Sequence, residues 1–155
     1  MRAQTSQKMI IINYNLKTDF ESDILNAKSV LLKKNVTCVA IHGKEEIESS
    51  KSGIKPLLSW IDGSRNLNGA SIADRVIGRA AAWLDVLLDP ISVYSPVVSV
   101  DAVSILMSHN IILYCDKIVP MILNRLNTAP CPLDACLKDI NNSMRALSII
   151  RSKIG

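Results

Sequence analysis

Gly69-Ala70-Ser71-Ile72-Ala73-Asp74 and, further on, Val93-Tyr94-Ser95-Pro96-Val97-Val98-Ser99-Val100 are the stretches from which the fold of this 155-residue chain is read. Ser71 and Asp74 have the spacing of a capping box, with Asp in place of the usual Glu. Behind them Ile72, Val76, Ala80, Trp83, Leu84 and Leu87 recur at helical intervals, predicting a long helix over residues 71–87 that Asp89-Pro90 stops. Gly78, Ala80, Ala81 and Ala82 are small enough for that helix to lie close to a sheet. In the second stretch, residues 91–95 read as a compact strand and residues 98–108 as a helix, with Pro96 in the turn between them.

Working outward, Phe20, Ile24, Ala27, Val30 and Leu31 share a helical face behind the capping-box spacing of Thr18 and Glu21, predicting a helix to about Lys33. Residues 36–41 predict a strand bounded by His42-Gly43, with residues 45–50 as a more exposed hairpin partner. A short helix ends at Asp62-Gly63. The continuous apolar run over 111–115 predicts a strand covered on both faces. Residues 119–123 fit either a strand or a helical turn, and helices over 132–140 and 143–153 close the chain. Strands interleaved with helices imply an α/β sandwich with partly parallel pairing. Residues 1–18 read as an N-terminal appendage, with a short strand near Met9–Tyr14, and residues 19–155 as one domain.

Composition narrows the function classes. At 48% hydrophobic and 21% charged residues the chain is globular, and its net charge of +4 is dispersed among acids. Three Tyr, two Trp and one Phe leave little for base stacking, which argues against a dedicated nucleic-acid binder. No apolar run approaches a membrane span, and Met9-Ile10-Ile11-Ile12 is too short for a signal segment. Four scattered cysteines do not make a disulfide framework in a chain of this size, so a reduced, cytoplasmic setting is expected.

Three segments carry a resemblance: Gly53-Ile54-Lys55-Pro56-Leu57-Leu58, the run from Gly69 to Ala82, and Val119-Pro120-Met121-Ile122-Leu123-Asn124-Arg125 leading into Cys131-Pro132-Leu133-Asp134. Over residues 20–150 they are similar to an uncharacterised domain-of-unknown-function family with a cytidine-deaminase-like fold that lacks the zinc ligands. The resemblance implies a three-layer α-β-α sandwich around a mixed sheet of four to five strands. In that superfamily a His-Ala-Glu-type tripeptide opens the first core helix and a Pro-Cys-x-x-Cys turn follows the third strand, together holding zinc. Here Gly69-Ala70-Ser71 and Pro96-Val97-Val98-Ser99-Val100 fall on those places. Glycine and valine offer no lone pair to a cation, and Ser71 cannot shuttle protons as a carboxylate does. The expectation is therefore a protein with no metal and no cofactor.

Cys131 precedes Pro132, whose missing N–H suits the first position of a helix, so Cys131 is read as its N-cap. That placement favours a thiolate nucleophile, with Asp134 close enough to manage a proton. The plainer reading makes both residues structural caps. Arg125, after Asn124, is placed to bind a phosphate or carboxylate beside Cys131, or else to pair with Asp134. At Gly69 and Ser71 free backbone N–H groups form an anion site with Lys55 and Arg75 nearby, or Ser71 and Asp74 serve capping alone. Cys131 and Cys136 lack a paired-ligand spacing, and His42 and His109 read as turn or surface residues.

These residues leave three functions open. One is a binding module for a small anionic or nucleotide-like ligand, using Lys55, Gly69, Ser71, Arg75, Asn124 and Arg125. Another is a Cys131-dependent enzyme with Asp134 or Asp74 as proton carrier. The third is an assembly or homo-oligomeric protein docking through Ala146, Leu147, Ile149, Ile150 and Ile154.

Overall fold

Cys38 and Ala40 point into one hydrophobic core while Val39 and Ile41 point into another, so a sheet must run between two helical layers. The structure, a computed structural model, describes residues 9–12 and 21–154. In chain order it comprises β1 (Ile10–Ile12), α1 (Glu21–Lys33), β2 (Cys38–His42), β3 (Glu45–Ser49), α2 (Lys55–Asp62), β4 (Ser71–Asp74), β5 (Val76–Ile77), α3 (Arg79–Leu88), β6 (Ser92–Ser99), α4 (Val100–Ser108), β7 (Ile112–Val119), α5 (Pro132–Cys136) and α6 (Ser143–Ile154). The strands form a single sheet in the order β1-β7-β6-β4-β2-β3, with β5 also on β6. β4, β5, β6 and β7 pair in parallel, whereas β2 is antiparallel to β3 and β4, and β1 to β7.

α1 covers one face, packing Ile24, Ala27 and Leu31 against Val39, Ile41, Ala73, Tyr94, Ile112 and Tyr114. On the other face α2, α3, α4 and α6 contribute Leu57, Trp60, Ala81, Leu84, Leu106 and Ile150 to the larger core. Burial of this apolar surface at about 25 cal/mol per Å² is the main stabilising term. Of the side chains expected to dock on a partner, Ala146, Leu147 and Ile150 are 5% exposed or less within this core, Ile149 packs partly buried against it, and Ile154 is 40% exposed.

The sheet has seven strands among the described residues rather than four to five. The main reason lies at residues 71–87, where the expected helix is a strand, a short second strand and then α3. Ser71–Asp74 is buried at every residue between β2 and β6, with Ile72 in one core and Ala73 in the other. Ile72, Asp74 and Val76 also fit a period of two, and pairing to two neighbours outweighs the helical pattern. β6 continues through Pro96 to Ser99, because Pro96 falls where β4 hands over to β5 and no ladder partner is required. α4 accordingly starts at Val100, with the Ser99 hydroxyl accepting the Ala102 N–H at 3.2 Å. The helix expected over 132–140 ends at Cys136. The cap at Thr18 and the boundary at residue 18 lie outside the described residues, while β1 is an edge strand of the same sheet.

A cleft at the carboxyl ends of the parallel strands

β4 and β5 end beside the first turn of α3, and parallel strands commonly present their ligands at this end. A cleft of about 390 Å³ opens here, between the starts of α2 and α3 and a wall made of residues 122–134. Ile54, Val76, Ala80, Ala81, Leu123 and Leu133 make its surface largely apolar, and Asp74, Arg125, Cys131 and Asp134 supply the polar groups. Five of the residues singled out from sequence, Asp74, Arg75, Arg125, Cys131 and Asp134, thus line one cleft, from segments remote along the chain.

Asp74 closes β4 and is buried. Its Oδ1 accepts the Arg75 backbone N–H at 2.8 Å. Burial pushes its carboxyl up from 3.8 to about 7, against the opposing pull of the Arg75 and Val76 amides. At neutral pH this group is part protonated and part ionised. Behind it, Asp85 on α3 is fully buried with neither carboxyl oxygen meeting a donor among the described residues. Burial, and then the charge of Asp74, hold Asp85 well above the ordinary carboxylate range. Cys38 lies opposite Asp74 in the β2–β4 ladder, and its thiol is likewise raised, first by burial.

Asp134 is not a free proton carrier. Its Oδ2 accepts the Arg79 N–H at 2.8 Å and its Oδ1 the Ala80 N–H at 3.1 Å, so a residue of α5 caps α3. Gly78, the residue before α3, makes room for that carboxylate, since a Cβ there would fall 2.2 Å from Oδ2. Cys131 is half-buried on the cleft wall and makes no side-chain cap bond to α5, a helix of five residues.

Other expected contacts fall elsewhere. Arg75 turns its guanidinium to the end of α1, donating to Leu31 O at 2.7 Å, Val36 O at 2.8 Å and Lys34 O at 3.2 Å. Ser71 begins a strand rather than a helix, so the capping-box reading and the anion site built on it are overturned. Its hydroxyl shares a 2.8 Å hydrogen bond with Ser92, both being buried. Gly69 sits at the same far end of β4, beside the His42 ring. The four-residue length of β4 puts Ser71 about 10 Å from Asp74. Asn124 organises its own turn, accepting the Thr128 N–H at 3.0 Å. Lys55 is exposed at the start of α2 and does not line the cleft. Gly78 and Val76 belong to the site but were read from sequence as parts of a helix interior.

A smaller cavity of about 210 Å³ opens at the opposite end of the sheet, by His42, Glu45, Arg65 and Asn66. Among the described residues no group of three or more His, Cys, Asp or Glu is placed to hold a metal ion, and no helix is long and apolar enough to cross a membrane.

Residues 26–154 match the family model TM1506, described as a domain of unknown function, DUF1893. The structure is similar to the crystal structure of a DUF1893 family protein (TM1506) from Thermotoga maritima, with a TM-score of 0.80 at 24% identity over 86% of this chain and 91% of that one. No curated protein matches the sequence.

Proposed function

The chain belongs to the DUF1893 family, and on that premise we propose that it binds a small anionic or nucleotide-like molecule in the cleft beside Asp74. The observation that carries this reading is the arrangement of charge in the cleft. A buried acid titrating near neutrality lies on the inside, and Arg125, exposed and making no ion pair with any described residue, lies on the wall. The apolar surface between them accommodates the body of a ligand, Asp74 meets its polar edge, and Arg125 pairs with its anionic group. The stretches expected at the zinc positions, Gly69-Ala70-Ser71 and Pro96-Val97-Val98-Ser99-Val100, do not line this cleft, and among the described residues no group of three or more His, Cys, Asp or Glu is placed to hold a metal ion.

Thermal melts with nucleoside monophosphates, sugar phosphates and short carboxylic acids test the reading. A ligand raises the melting temperature of the wild type, and Arg125→Ala loses that shift while Ser71→Ala keeps it. A flat response across the whole panel rejects it.

A second reading, a Cys131-dependent enzyme, draws on the thiol lining the same cleft. With Asp134 engaged by α3, its proton carrier is Asp74. It requires Cys131 to alkylate faster than free cysteine at neutral pH, and a thiol no more reactive than that removes it.

A further inference from the structure

The outer wall of the cleft leaves the sheet after Val119 and is anchored again where Leu137 enters the core. Between those points it holds its own shape. Asn124 N–H donates to Ala129 O at 2.9 Å and Cys131 N–H to Ile122 O at 2.9 Å. Its tip is loosely packed, with Leu126 80% exposed and Met121 and Leu123 about half exposed. Asp134, by contrast, is 8% exposed and ties the wall to the domain. Besides the two amides of α3, its carbonyl accepts from Arg79 Nη1 at 2.9 Å, and Arg79 pairs in turn with Asp101 of α4. Asp134 and Ile122 also separate the cleft from a small adjoining space of about 20 Å³ that Arg79 and Ser99 line.

We propose that Asp134 is a latch, whose carboxylate clamps the wall of residues 120–136 onto the start of α3 and thereby sets how far the cleft stands open. When it releases, the wall swings as a unit about its two anchors, the two spaces join, and Arg79 becomes part of the cleft. A clamp made of hydrogen bonds to bare amides can let go without disturbing the sheet, because β6 and β7 are held by their own ladder. The consequence for ligand entry rests on the reading of the cleft given above. The latch itself does not.

Hydrogen exchange of the full chain tests it, using Asp134→Asn and Gly78→Ala beside the wild type. Asn weakens the acceptor without changing shape, and the Gly78 methyl displaces the carboxylate sterically. Both variants exchange about tenfold faster or more in peptides spanning 79–81 and 120–136, with peptides of β6 and β7 unchanged. The proposal is overturned if the wall exchanges as in the wild type, if β6 and β7 accelerate in step with it, or if neither variant folds. A ligand found in the melts gives a separate readout: Asp134→Asn raises its association and dissociation rates together. If no ligand is found, the reading of the cleft fails while the exchange result still decides the latch.

Discussion

Gly78 and Asp134 are so close that a methyl group on Gly78 would stand 2.2 Å from one carboxylate oxygen of Asp134 and 2.8 Å from its Cγ. The backbone of Gly78 is extended, at φ −104° and ψ −164°, which alanine tolerates. Steric pressure on a capped helix start is therefore the whole effect. Gly78→Ala is expected to cost on the order of 2–3 kcal/mol in denaturant unfolding, and Asp134→Ala a similar amount. In the double variant the clash has no partner, so the combined loss is smaller than the two added together.

Asp74 gives stability a distinctive pH dependence. Its folded pKa, about 7, lies above the unfolded value near 3.9, so the native state binds more protons in between. The sign follows: stability contributed by this group is full below about pH 4 and is lost progressively as pH rises towards 7. Asp85, raised by burial, acts in the same direction. Asp74→Asn is expected to flatten the pH 4–7 profile and to stabilise the protein at pH 7 and above, by up to about 4 kcal/mol. Urea unfolding across that range measures both. A variant that loses stability at pH 8 would refute the assignment.

The Ser71–Ser92 pair bridges two parallel neighbours inside the sheet. Removing one hydroxyl strands the other without a partner, so Ser71→Ala costs about 1–2 kcal/mol while the double alanine variant recovers part of the loss. Equal costs for single and double variants would argue against a shared bond.

Arg75 collects three carbonyls at the end of α1 with a planar fork that lysine cannot reproduce. Arg75→Lys is expected to lose about 1–2 kcal/mol and to speed amide exchange around residues 31–36. Retention of wild-type stability would show that charge alone suffices there.

The sites that sequence located well were those whose role is local. Cys131-Pro132 does open a helix. Arg125 and Cys131 do reach one cleft because both lie on the wall after β7. Arg75 was placed beside an anion site of free amides at a helix start, and Asp134 beside the Cys131 thiol as a proton carrier or as a cap of its own helix. Both are instead fastened to backbone groups far away in the chain, a partnership with no periodic or spacing signature.

Sequence by itself determined the hairpin of β2 and β3, the amphipathic α1 and α6, and the two-sided burial of β7, since each depends on side-chain type or on periodicity within one segment. Only the tertiary structure decided that Ser71–Asp74 is a strand and that α3 begins at Arg79. A short apolar run satisfies both periods, and the hydrogen bonds offered by two flanking strands settle which one forms. The same holds for the cleft. Asp74 acquires its unusual acidity, and Asp134 its grip on α3, from neighbours that folding alone brings within reach.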